Sequence, residues 1–478
     1  MVFNSFEFLI FFVIIFFLYW IVGKNSLKIQ NIILLLGGYT FYGWSDWRLL
    51  SYLIASSTIT FYLGIYIEKT SNEKYKQWLL YLGLAQGIGG LAFFKYFNFF
   101  INSLKDAFHQ FGISLDVSTL NLLIPIGISF FTFKTISYLL DVNKGKITAS
   151  KDVVIFFVYV SFFPTILSGP IDRASIFIPQ LEKRRVFEYE YAMVGMRQIF
   201  WGLFKKVVIA DTLSTVVNTV FTGYHNLNFM TLFLGAIVFS VQLYADFCGY
   251  SDMAIGISNL IGFNVTPNFN FPFFAENIAD FWRRWHMSLT SWLTEYVFTP
   301  LSIFFRDYGK FGVIISIIIN FVICGIWHGA NWTFVLWGLL NGCYFIPLIL
   351  RGTFNKKKKK TNGGAFKRLK YILNVTGTFI LVSLTLILFR SDTISDALGY
   401  YRRMFDFNLK NLFQIKVTDI NIVNLGYIIA LLCVDLWFYN EVKSFKIPKV
   451  IRFGMYLFGC SLILLCLNKK ESFIYLKF

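Results

Sequence analysis

The chain has 478 residues, 56% of them hydrophobic, 20% aromatic and only 15% charged, with a mean hydropathy of +0.60. Soluble domains carry about 25% charged residues, and a soluble core would not hide this much apolar surface, whereas a bilayer accepts it as outward-facing surface. A soluble enzyme, a disordered chain and a collagen-like fibre are excluded. The net charge of +18 is not accompanied by any aromatic-basic nucleic-acid module, so no nucleic acid is expected. In a membrane protein, Lys and Arg mark cytoplasmic loops and the anionic leaflet.

The first apolar run, Phe6 to Val22, lacks a basic leader and is followed at once by further apolar segments. It reads as a first span rather than a signal peptide. Candidate spans recur near residues 30–44, 49–67, 78–102, 119–140, 152–169, 193–220, 229–247, 276–299, 312–350, 371–389, 423–439 and 451–467. Some are shorter than a straight crossing requires and 312–350 is long enough for two, so roughly 11 crossings plus re-entrant pieces are expected. The expected fold is an all-α polytopic membrane protein, with residues 1–467 forming a single transmembrane domain and 468–478 an aromatic tail. Pro125, Pro164 and Pro170 mark places where helices kink or break.

Orientation follows from the basic loops. Lys356 to Lys360 is unbroken, and Lys367, Arg368 and Lys370 follow without an intervening acid, which predicts a cytoplasmic loop. Counting spans from there places residues 468–478 outside the cytoplasm, although Lys469 and Lys470 argue the other way.

Ionisable groups within apolar segments are expensive and therefore informative. Asp172-Arg173 reads as a loop-entry pair at a span end, and Gln242 to Asp252 as two carboxylates around a small-residue helix break. The segment from Glu276 to Leu289 packs Glu276, Asp280, Arg283, Arg284 and His286 among aromatics. Asp280 is spaced to pair with Arg283 or Arg284 on a helix. This segment is either a structural charge cluster with snorkelling arginines or a basic lip for a phosphorylated carrier such as coenzyme A, with Trp282, Arg283 and Arg284 at the donor.

From Gly312 to Leu350 there is no Asp, Glu, Lys or Arg, yet the middle reads Gly-Ile-Trp-His328-Gly-Ala-Asn331-Trp. His328 is either a turn histidine satisfied by a backbone carbonyl or a general base facing a cavity, with Asn331 and the tryptophans beside it. His109 and His225 read as bystanders in polar loops. The six cysteines are scattered, with no disulfide framework, and nothing has metal-ligand spacing.

The blocks Gln242–Gly256, Pro267–Leu293 and Gly325–Gly338 resemble the membrane-bound O-acyltransferase superfamily. The branch is that of alginate and peptidoglycan O-acetyltransferases and the D-alanyl transfer protein of teichoic acids. Phe94-Lys-Tyr-Phe-Asn98, Ile124 to Phe133 and Phe162 to Pro170 support the resemblance. It implies a helical bundle around a central tunnel in the bacterial inner membrane. It also implies His328 as the family histidine, His286 as the second, and acetyl-coenzyme A as donor with no bound cofactor. Thr299-Pro-Leu-Ser302 departs from the alginate-type pattern, which leaves the polysaccharide open among alginate-like polymers, cellulose and peptidoglycan.

The tail Ser472-Phe-Ile-Tyr475-Leu-Lys-Phe478 resembles the aromatic tail of some branch members. It implies a relay in which His328 deprotonates Tyr475. The resulting ester would pass its acyl group to a secreted serine-hydrolase-like partner and so to the polysaccharide. The competing expectations are an interfacial amphipathic tail, D-alanyl transfer from a carrier protein, and a non-catalytic transporter or scaffold.

Overall fold

The computed structural model describes residues 1–115, 117, 119–120, 125–354, 365–406, 422–439, 448–467 and 474. Tyr475 and the lysine run at 356–360 lie outside the described residues. Among those described, the regular structure is helical throughout. The chain divides into two compact units, residues 1–200 with 250–266, and residues 201–249 with 267–478.

In the first unit, α1 (Phe6–Phe17), α2 (Leu27–Gly43), α3 (Trp47–Lys69), α4 (Glu73–Leu91) and α5 (Phe97–Gln110) precede α6 (Ile128–Asn143), α7 (Val153–Ser161) and α8 (Ala174–Leu181). Helix starts are written in the sequence: Asp46, Asn72 and Asp152 each accept a hydrogen bond from a backbone N–H of the turn they open. Helices α3, α4 and α6 pack mutually, as do α2 and α7. Segment 152–169 does not cross: α7 has nine residues, about 14 Å of helix, and the chain then turns. Asp172 is buried and accepts from the Thr266 N–H at 2.9 Å and hydroxyl at 2.8 Å, so it ties two loops together.

Helices α9 (Tyr189–Leu203), α10 (Asp211–Thr222) and α11 (Phe229–Leu260) follow, with a π-helical segment, Phe204–Ala210, joining α9 to α10. The second unit continues with α12 (Ile278–Trp282), α13 (Met287–Leu293), α14 (Thr299–Phe304), α15 (Gly309–His328) and α16 (Trp332–Cys343). It ends with α17 (Ile346–Leu350), α18 (Ala365–Arg390), α19 (Ile394–Met404), α20 (Ile422–Tyr439) and α21 (Lys449–Cys466).

Among the described residues, seven stretches are long and apolar enough to cross a membrane: Trp47–Lys69, Glu73–Gln110, Phe229–Leu260, Arg306–His328, Trp332–Leu350, Ala365–Arg390 and Lys449–Cys466. Phe6–Val22 and Asn424–Leu436 are shorter apolar helices. Exposed side chains such as Val450, Phe453, Leu464 and Leu465 belong against lipid. The chain is a polytopic, all-helical membrane protein.

Two further expectations are corrected. Residues 242–252 contain no helix break, since α11 runs unbroken through them. The small residue Gly249 serves close approach instead: a Cβ there would stand 2.7 Å from the Gly202 carbonyl oxygen and 3.1 Å from the Lys206 nitrogen. Segment 276–299 is not a straight span but short helices, interrupted at His286, which takes a left-handed backbone (φ 44°).

Candidate active site

His328 is the last residue of α15 and is 4% exposed. Helices α15 and α16 form a tight hairpin because glycines line their contact. A Cβ on Gly338 would strike the Phe321 carbonyl, and one on Gly342 would lie 2.9 Å from Ile318 Cα. Small residues allow such backbone approach where apolar packing against lipid provides no driving force. Asn331 caps α16 through the Thr333 N–H at 3.1 Å, and its amide donates to the Asp392 carbonyl at 2.7 Å. Its carboxamide is thus engaged in fixing the turn after His328.

The His328 ring is enclosed by aromatics from three helices. Its centroid lies 4.9 Å from Trp327, 5.1 Å from Trp337 and 5.1 Å from Phe389, each in a near-perpendicular arrangement. Edge-to-face contacts of this kind fix a ring plane more firmly than aliphatic packing does.

His286 is 1% exposed and opens α13. Its left-handed backbone is sterically costly for a side-chain-bearing residue, so the surroundings must impose it. Asn268 supplies part of that constraint: its carbonyl accepts from the Met287 N–H at 2.8 Å, and its Oδ1 accepts from the Ser288 hydroxyl at 2.6 Å. The imidazole packs on Phe247 at 4.6 Å and on Trp327 at 5.9 Å. His286 and His328, 42 positions apart in sequence, therefore share one indole wall.

The polar residues around the histidines engage protein partners. Arg284 donates to Asp280 at 3.0 Å and sits over the Tyr439 ring at 5.3 Å. Arg283 is exposed and donates to the Phe354 carbonyl at 2.6 Å. The Trp282 indole N–H donates to Asn341 at 3.3 Å. Of the other histidines, His109 stands on the last turn of α5, and the His225 ring lies 3.8 Å from that of Tyr224.

One cluster that sequence reasoning passed over lies in the same unit. Lys206 reaches Asp211 and Asp246 at 2.7 Å each, and the three side chains are 5%, 3% and 1% exposed. Lys205 beside it reaches the Cys248 sulfur at 3.0 Å. The available signal was a lysine pair inside an apolar run, which burial makes expensive without partners.

The family model for MBOAT, the membrane-bound O-acyltransferase family, matches residues 150–385. The protein named "Probable alginate O-acetylase AlgI" from Pseudomonas aeruginosa is 32% identical over 461 residues, covering 94% of this chain and 84% of that protein. The peptidoglycan O-acetyltransferase of Helicobacter pylori is 32% identical over 81% of this chain and 75% of its own length. The teichoic acid D-alanyltransferase of Bacillus subtilis is 31% identical over 55% and 67%.

Proposed function

Because the chain belongs to the membrane-bound O-acyltransferase family, we propose that it moves an acetyl group across the bacterial inner membrane. The donor is cytoplasmic acetyl-coenzyme A, and the product is an O-acetylated envelope polysaccharide of the alginate, cellulose or peptidoglycan class. The observation that carries this reading is the pair of buried histidines meeting at Trp327, in a chain that aligns over 94% of its length with an alginate O-acetylase. Acetyl transfer is favoured over D-alanyl transfer because the acetylase alignments cover more of the chain.

In this reading His328 is the general base. It takes the proton from the Tyr475 hydroxyl as the phenolic oxygen attacks the thioester carbonyl. The carbon–sulfur bond breaks, and the imidazolium returns the proton to the departing thiolate. A phenolic ester is a serviceable carrier because phenoxide, with a parent pKa of about 10, leaves more readily than a sugar alkoxide. A serine of a secreted hydrolase-like partner then attacks the ester, and the phenol is restored. His286 shares the wall that orients His328. Trp282, Arg283, Arg284 and Asn331 shape the donor side through the contacts described above.

The test is mass spectrometry of the C-terminal peptide after incubation with isotopically labelled acetyl-coenzyme A, for wild type, His328→Ala and Tyr475→Phe. Label on Tyr475 that is absent from both variants supports the relay. Thioester consumption without label on the tail rejects the relay and keeps the transferase.

A further inference from the structure

The Lys206 cluster has a fourth participant. One carboxylate oxygen of Asp246 faces Lys206 at 2.7 Å, and the other accepts a hydrogen bond from the backbone N–H of Ile474 at 2.8 Å. We propose that Asp246, held in place by Lys206 and Asp211, is the docking point for the chain's own C-terminal segment.

Burial explains the choice of partner. The Asp246 side chain is 1% exposed, and a buried carboxylate needs both of its oxygens engaged. Such a group is stabilised by short charge-assisted hydrogen bonds, and a backbone N–H supplies one without importing a counter-charge.

The packing agrees. Helices α20 and α21 both lie against the Phe204–Ala210 segment that carries Lys206. Tyr244, two residues before Asp246, donates to Asp435 of α20 at 2.6 Å.

The dock also has an address relative to the histidines. Phe247, the next residue on α11, is the ring on which His286 packs. The dock therefore lies on the helix that walls His286. Its mechanistic value rests on the relay reading above, whereas the docking does not. Asp246, Lys206 and Asp211 are positioning residues: they hold the segment and take no part in bond making.

The experiment is amide hydrogen exchange of the C-terminal peptide in full-length protein in nanodiscs, compared between wild type and Asp246→Asn. The Ile474 amide should exchange about tenfold faster in the variant, with the spanning helices unchanged. A second variant, Ile474→Pro, removes the donor and leaves the cluster intact. In that variant a lysine-specific protease should cut after Lys470 about tenfold faster than in wild type. An unprotected Ile474 amide in wild type, or tail behaviour unchanged in both variants, overturns the proposal. Tyr475 labelling in the same samples separates the two ideas. A protected tail without label rejects the relay and keeps the dock, and a labelled tail without protection does the reverse.

Discussion

The rings of His286 and His328 both lie against the indole of Trp327, at centroid separations of 5.9 and 4.9 Å. Trp327 is 5% exposed and precedes His328 directly. Removing it withdraws the common wall from both imidazoles. Trp327→Ala should lower acetyl transfer by roughly 100-fold at equal amounts of folded protein, because small misplacement of a catalytic group is costly. Trp327→Phe, which keeps an aromatic face, should lose much less. Rates measured with the same acceptor check both.

The backbone at His286 gives a comparison that separates strain from chemistry. Its φ of 44° suits glycine and penalises alanine. His286→Gly should be more stable than His286→Ala by about 1 kcal/mol, while both lose the imidazole equally. Thermal unfolding in detergent reads the first effect and transfer rates read the second.

Asn268 holds the turn that His286 opens. Asn268→Ala removes the buried acceptor used by the Ser288 hydroxyl. The expected loss is about 1–3 kcal/mol of stability. Activity should fall further than His286-independent regions of the fold would require, which a double-variant cycle with His286→Ala would show as non-additivity.

Gly338 sets the approach of α16 to α15. Gly338→Ala places a methyl group against the Phe321 carbonyl, a backbone atom that cannot rotate away. The hairpin must open, at about 1–3 kcal/mol, and His328 moves with it. Unfolding temperature and transfer should decline together. Gly377→Ala on α18 meets open space and serves as the silent control.

Lys206→Met leaves Asp211 and Asp246 buried together without their shared ammonium. Breaking such a cluster from one side costs about 3–5 kcal/mol. Adding Asp211→Asn should restore part of that loss, because it removes one of the stranded charges. Expression level and unfolding temperature of the single and double variants check the order.

The long helices were legible because apolar length is a local property of the sequence. The α15–α16 hairpin needed only an apolar run and a glycine-bracketed interruption, and the first part of α11 only an apolar run. His328 stands out for the same reason, since one imidazole lies in an uncharged stretch from Gly312 to Leu350. The break-up of residues 276–299 was not, because Asn268, from outside that segment, helps impose the left-handed turn at His286. Residues 242–252 misled for a different reason. Cys248 and Gly249 looked like a helix break, but Gly249 serves approach to the Gly202 backbone. Lys206 was passed over because one of its partners, Asp246, lies 40 residues away, and such pairing exists only after folding. The contact of Trp327 with both histidines is likewise a product of tertiary packing.

The central claim, acyl transfer through His328, is tested most directly by thiol release from acetyl-coenzyme A. Purified wild-type and His328→Ala protein would be reconstituted in liposomes and compared at matched folded amounts. The account predicts a burst of thiol release by wild type, one thiol for each Tyr475 acylated, and a fall of at least about 100-fold in its rate in His328→Ala, the scale expected for losing a general base. Equal release by the two proteins would contradict the assignment of His328, and no release by wild type would contradict acetyl-coenzyme A as the donor.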